Sequence, residues 1–247
     1  MTLKNRILFL HRLLATAVMI FVAPALLAAN LIIDDFSTNQ GPLNVSPALG
    51  PLTDSSSASG AGILGGSRDL VLSTDSGSSV FSSSAQVAGG VAQLADNSQF
   101  SSDLLFQWDG ADNAALALDT TGLAGIDLTT GSNNAFELGL VFDDLPATLQ
   151  FNVYSTDGSA STVTFPGTGL IFTDLSILVP FASFTGGADF TDVGAIELLI
   201  SSPTNGLDIS FDFLQTNVAP VPVPSAVFFM GSALFGLGLL DRRTDSE

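Results

Sequence analysis

The stretch Phe136-Glu-Leu-Gly-Leu-Val-Phe142 alternates bulky apolar residues with small or polar ones, and Leu149-Gln-Phe-Asn-Val153 does so again. Successive side chains of an extended chain point to opposite faces, so period two predicts two strands. Phe136, Leu138, Leu140 and Phe142 share the inner face of one; Leu149, Phe151 and Val153 share that of the next. Leu175, Ile177 and Val179 continue the pattern, and Leu207, Ile209, Phe211 and Phe213 repeat it near the end. Glu137, Gln150, Ser176, Asp208 and Asp212 then face outward. Turn-forming residues separate these runs at Asp143-Asp-Leu-Pro146, Thr156-Asp-Gly158, Phe165-Pro-Gly167, Thr185-Gly-Gly187 and Pro203-Thr-Asn-Gly206. Working back along the chain, Asp103-Leu-Leu-Phe-Gln-Trp108, Asp69-Leu-Val-Leu-Ser73 and Leu31-Ile-Ile-Asp-Asp-Phe36 read as strands. The Ser-, Gly- and Pro-rich stretch between Phe36 and Gly66 shows little periodicity and reads as loop. Many short strands, frequent glycine turns and no sustained 3.6-residue period predict an all-β fold, a single β-sandwich over residues 30–218.

Composition agrees. The chain is 46% hydrophobic and only 12% charged, with 24 Gly, which argues against a helical bundle with charged wet faces. Nineteen Phe argue against disorder. The 24 acidic residues face 6 Lys and Arg, and Arg68 is the only base between Asn30 and Leu240. Without a basic patch, nucleic acid is excluded as a partner. An acidic surface keeps an exported protein soluble, and its fitting partners are divalent cations, Ca²⁺ above all, and neutral polymers such as polysaccharides.

Cysteine is absent and His11, the single histidine, lies near the N-terminus. Serine-histidine triads, cysteine nucleophiles, Schiff-base lysines and histidine metal sites are thereby removed from the domain. Carboxylate chemistry, as in glycoside hydrolysis, is what remains. The pairs Asp34-Asp35 and Asp143-Asp144 sit at strand ends and turns, where turn chemistry accounts for them. The reading is a protein that is not an enzyme.

Both ends carry addresses. Lys4, Arg6 and Arg12 precede Leu13-Leu-Ala-Thr-Ala-Val-Met-Ile-Phe-Val-Ala-Pro24, the pattern of a signal peptide over residues 1–29, cleaved after Ala28 or Ala29. The other end, 219–247, reads Val221-Pro222-Val223-Pro224-Ser225, then the uncharged run 226–240, then Arg242-Arg243. Fifteen helical residues span about 22 Å, short of a ~30 Å hydrocarbon core, so this transmembrane helix needs local thinning or help from flanking residues. The Arg pair stays on the cytoplasmic side.

The ordered tail resembles the PEP-CTERM sorting signal in its VPxPA-type form. Val223 stands where the commonest form has Glu, and Ser225 where this variant often has Ala. The resemblance implies export, transient anchoring in the inner membrane of a Gram-negative bacterium and processing by exosortase, a membrane-embedded cysteine protease. It also implies delivery to the cell surface or an exopolysaccharide (biofilm) matrix. Gly65-Gly-Ser-Arg-Asp69, Trp108-Asp-Gly110, Asp119-Thr-Thr-Gly-Leu-Ala-Gly125 and Phe190-Thr-Asp-Val-Gly-Ala-Ile196 resemble a domain common in such proteins and jelly rolls of the carbohydrate-binding-module kind. That likeness implies adjacent first and last strands.

If those strands pair, Asp34 or Asp35 on the first meets Asp208 or Asp212 on the last, and hard oxygen ligands from separate strands suit a structural Ca²⁺. Asp109 and Asp112 form a second oxygen cluster. Trp108 either stacks on a sugar ring or packs in the core. Arg68, isolated among acids, is expected to pair with an Asp. The functional expectation is a non-enzymatic surface or matrix protein processed by exosortase. The alternative is a carbohydrate-binding module for exopolysaccharide, and a carboxylate-only glycosidase stands further off.

Overall fold

The computed structural model describes residues 30–112, 114–167 and 169–220. Its strands form two antiparallel seven-stranded sheets that enclose one apolar core. The first sheet holds β1 (Ile32–Asp34), β2 (Gln40–Val45), β5 (Ser83–Ala88), β6 (Val91–Ala95), β8 (Ala135–Asp143), β11 (Leu175–Pro180) and β14 (Asp208–Asn217). The second runs, edge to edge, β12 (Thr185–Gly186), β10 (Ala160–Pro166), β9 (Thr148–Ser155), β13 (Val193–Ser201), β7 (Asp103–Trp108), β4 (Ser67–Ser73) and β3 (Thr53–Ser59). The all-β sandwich is therefore as expected. The first and last strands do pair, antiparallel, with Ile32 opposite Gln215 and Asp34 opposite Leu214.

The core follows from alternation. Leu70, Phe106, Leu198 and Phe151 line up across the second sheet and are buried, as are Leu138, Leu140, Ile209 and Phe211 in the first. Phe136 and Phe151 stack across the sandwich with centroids 5.2 Å apart. Each fully buried ring contributes about 1.5–3 kcal/mol of transfer free energy.

Three expectations need correction. The stretch between Phe36 and Gly66 is not loop: it supplies β2 and β3. The serine-rich β3 is an edge strand, held by its full register against β4 from Thr53–Ser73 to Ser59–Ser67, so it needs no apolar stripe. Phe142 and Phe213 are only half-buried, because the β8–β14 pairing slips at Ser210/Phe211 and again at Phe211/Phe213. Each slip reverses the facing, so Asp143 and Leu214 turn inward instead. Leu175, at the start of the edge strand β11, is exposed. The hairpin β5–β6 went unread. Its turn, Gly89-Gly90, has φ of +64° and +83°, the left-handed pair that a two-residue hairpin requires.

The signal segment 1–29, Val221, Pro222, Val223, Pro224 and Ser225, the run 226–240, and Arg242 and Arg243 lie outside the described residues. Among the described residues, no helix is long and apolar enough to cross a membrane.

Candidate functional site

Strands β4 and β7 position two very different sets of charges. Along β4, Arg68, Leu70 and Leu72 point inward while Asp69 and Val71 point outward. Along β7, Leu104, Phe106 and Trp108 point inward and Gln107 outward, and Asp109 follows at the strand end.

Inside, Arg68 and Asp34 are both 0% exposed and form an ion pair at 2.8 Å. Arg68 also donates from Nε to Gln40 Oε1 at 2.7 Å and from a terminal nitrogen to the Thr38 carbonyl at 2.8 Å. Its guanidinium lies 5.6 Å from the Phe36 ring centre. Trp108, likewise 0% exposed, donates its indole N–H to Asp34 Oδ2 at 2.9 Å, and the Phe36 N–H donates to Oδ1 at 2.9 Å. Burial raises the Asp34 carboxyl pKa, and the Arg68 charge pulls the other way. Trp108 is thus a core residue and no platform for a sugar ring. Asp34 is committed to Arg68, as the isolation of that base foretold.

Among the described residues, no three of Asp34, Asp35, Asp208 and Asp212 come within ligand reach of one another, and the last three have contacts of their own. Asp35 accepts the Ser37 N–H at 2.9 Å, and its carboxyl is held below the usual range by Ser37. The Asp208 N–H donates to Asp144 Oδ1 at 2.8 Å, and burial and Asp144 raise the Asp208 carboxyl. Asp212 sits against Gly139, where a Cβ would fall 1.9 Å from Asp212 Oδ1, and its carboxyl is raised by burial and by Asp174.

Much of the remaining acidity is turn chemistry. Asp119, Asp127, Asp157 and Asp189 each accept both the backbone N–H and the hydroxyl of the Thr or Ser two residues later. Those hydrogen bonds hold all four carboxyls low.

Outside, Asp69 and Asp109 come together with Asp112, one carboxylate oxygen from each lying within 4.8 Å of the others. Asp69 and Asp109 are each 1% exposed, whereas Asp112 is exposed. Both oxygens of Asp69 and Oδ1 of Asp109 are buried without a hydrogen-bond partner. Ser57, opposite Asp69 in the β3–β4 pair, tempers its charge without making a bond of normal geometry. Burial raises the Asp69 carboxyl, and it pushes Asp109 up to about 6. The loop leaving Asp109 closes on itself: Asp109 Oδ2 accepts the Asp119 N–H at 2.8 Å, and Gly122 passes so near that a Cβ there would sit 1.6 Å from the Asp109 carbonyl oxygen. The Leu123 N–H then donates to the Gly194 carbonyl at 2.9 Å. The four segments quoted for the domain resemblance therefore meet at this corner. Asp109 and Asp112 were legible from spacing; Asp69 was missed as a site residue, because its partners are supplied by strand register.

From Asp69 a polar band crosses the outer face of the second sheet. Ser57, Asp69, Gln107, Glu197, Asn152 and Thr162 occupy one register line. Glu197 accepts from Gln107 at 2.9 Å, from Asn152 at 3.1 Å and from the Tyr154 hydroxyl at 2.8 Å. Gln150 donates to Asn152 at 3.0 Å. Burial, with Glu197 as acceptor, pushes the Tyr154 phenol up to about 12. A shallow depression borders the band at β3, lined by Ser55, Ser56 and Ser57 on one side and Ala114–Ala117 on the other.

No family model and no curated protein matches the sequence. Among solved structures, the chain is similar to the family 11 carbohydrate-binding module of the cellulosomal cellulase Lic26A-Cel5E of Clostridium thermocellum. That match has 11% identity and a TM-score of 0.38 over 80% of this chain and 98% of that one. The family 30 carbohydrate-binding module of Cel9D-Cel44B, also of Clostridium thermocellum, matches at 10% identity and a TM-score of 0.40, over 78% and 99%. The agarase AgWH50C matches at 12% identity and a TM-score of 0.42, over 79% of this chain and 25% of the agarase.

Proposed function

We propose that the sandwich is a non-catalytic polysaccharide-binding domain, displayed at the surface or in the matrix of the exporting cell. The observation that carries this reading is the polar band on the outer face of the second sheet. Its amides and one half-buried phenol are tied to the Glu197 carboxylate and to one another by hydrogen bonds across the three strands β7, β13 and β9. Such a surface offers preset donors and acceptors to a chain of sugar hydroxyls running across the strands. It carries no base, and 21 acidic residues against Arg68 give residues 30–220 a repulsive field toward anionic polymers. The partner class is therefore a neutral polysaccharide. Tyr154 is the aromatic residue of the band, suited to edge contact with a sugar ring. No activated nucleophile or base is called for, which supports binding without turnover.

Export and sorting belong to the same proposal and rest on the resemblance of the ends. The signal segment delivers the chain, 226–240 holds it at the membrane, and exosortase cleaves near Val221–Pro224. The intact mass of surface material tests this part: loss of the tail supports it, and a retained 226–240 overturns it.

Affinity electrophoresis tests binding. The chain should be retarded in gels containing at least one neutral glucan or galactan and run freely in gels of an anionic polysaccharide, with no reducing ends released. Asn152→Ala and Tyr154→Ala should abolish the retardation while the chain still melts cooperatively, a few degrees below the parent for each hydrogen bond to Glu197 that is lost. Free migration through every neutral polymer contradicts the proposal.

A further inference from the structure

We infer that Asp69, Asp109 and Asp112 hold a divalent cation of the hard, oxygen-preferring class, for which Ca²⁺ is the best match. The three carboxylates lie within 4.8 Å of one another and arrive from β4, from the end of β7 and from the loop beyond it. Proximity of acids is common on acidic surfaces, so the decisive observation is a second one. Asp69 and Asp109 are each 1% exposed, and three of their four carboxylate oxygens are buried with no hydrogen-bond donor. Charged oxygens removed from water demand a compensating charge or a proton. No basic side chain in the domain can supply the charge. Arg68, the only base in residues 30–220, precedes Asp69 directly, but alternation along β4 sends it to the opposite face, where Asp34, Gln40 and Thr38 occupy it.

The donor set points to the ion. All three ligands are hard carboxylate oxygens and no imidazole or thiolate exists in the domain, which disfavours zinc and copper. Ligands drawn from separate strands and a loop give an irregular, expandable shell that Ca²⁺ accepts and Mg²⁺ does not. Asp112 is exposed, so water can complete the coordination on that side. Asp112 Oδ1 also accepts the Ala114 N–H at 2.9 Å, at the start of the segment Ala114–Ala117 that walls the depression. A cation here therefore fixes that wall as well as the corner. The site stands independently of the polysaccharide reading.

The test uses the purified full chain in detergent, stripped with chelator, then titrated with CaCl₂ in a calorimeter and melted with and without Ca²⁺. One Ca²⁺ should bind per chain, and a hundredfold excess over Kd should raise Tm by roughly 5–10 °C. Asp112→Asn, at an exposed position, should weaken binding about tenfold or more while leaving Tm in chelator unchanged. Asp69→Asn should abolish the response to Ca²⁺ and raise Tm in chelator. Equal Tm values in Ca²⁺ and chelator, with no heat of binding, would mean that the carboxyls share protons instead, and this overturns the site. A Ca²⁺ response that survives both substitutions equally overturns it too, since the ion then binds elsewhere.

Discussion

Arg68 and Asp69 are neighbours in the chain and opposites in the structure. Arg68 faces the core, is 0% exposed and has its charge met by Asp34, with further acceptors in Gln40 and Thr38. Asp69 faces outward, is 1% exposed, and has Ser57 as a weak neutral neighbour but no positive charge to meet it, with Asp109 and Asp112 adding more negative charge. The same β4 backbone thus carries one charge that is balanced by protein and one that is not. Balanced burial fixes a structure; unbalanced burial asks for a ligand.

The comparison is broken most forcefully from its inner side. Arg68→Met or Asp34→Asn leaves the other partner buried and unpaired, and should cost about 3–5 kcal/mol in urea unfolding. Asp34→Leu combined with Arg68→Met should cost markedly less than either single change, because no orphan remains. A loss of under about 1 kcal/mol for the singles would show that the pair is not sealed from water.

The outer side should answer with the opposite sign. In chelator, Asp69→Asn removes an uncompensated charge and should stabilise the fold by about 1–3 kcal/mol. The same chemical change, Asp to Asn, then destabilises at residue 34 and stabilises at residue 69. Matching signs would remove the distinction.

Proton linkage sharpens the contrast further. Burial raises Asp109 and Asp143 to about 6 in the folded chain, above their unfolded value of 3.8. A raised carboxyl contributes stability that is full below the unfolded pKa and lost as pH rises through the folded one. Without Ca²⁺, stability should therefore fall between about pH 4 and pH 6, and Asp109→Asn should flatten part of that fall. With Ca²⁺ the Asp109 share should vanish and the Asp143 share remain, since Asp143 is bonded to the Gly169 N–H at the far end of β8. Urea midpoints measured across pH with and without Ca²⁺ decide this.

The smallest effect belongs to the polar band. Tyr154→Phe removes one hydrogen bond to Glu197 on a half-buried face and should cost about 1 kcal/mol or less in stability, while weakening retardation on neutral polysaccharide. Loss of stability without loss of retardation would confine the band to a structural role.

What was legible in the sequence follows from the range of each interaction. Period two in β8, β9 and β11 depends on neighbours two residues apart, so the sandwich could be read directly. It failed where pairing slipped, at Phe142 and Phe213, because a bulge is a property of two strands and not of one. It failed again at β3, whose serine-rich sequence is held by register against β4 and carries no apolar stripe. The ion pair of Arg68 was legible from charge counting, since a lone base among acids must pair, but its partner Asp34 was assigned to Ca²⁺. Asp109 and Asp112 lie three residues apart and were visible. Asp69, 40 residues earlier, joins them only through the β4–β7 alignment of Asp69 with Gln107, and no local signal marks it.

The most direct test is an anomalous difference map, recorded at long wavelength from crystals of the domain grown in CaCl₂. A single peak 2.3–2.6 Å from one oxygen each of Asp69, Asp109 and Asp112, with Asp34 still against Arg68, is the expected result. A map empty at that corner, or a peak between Asp34 and β14, would contradict it.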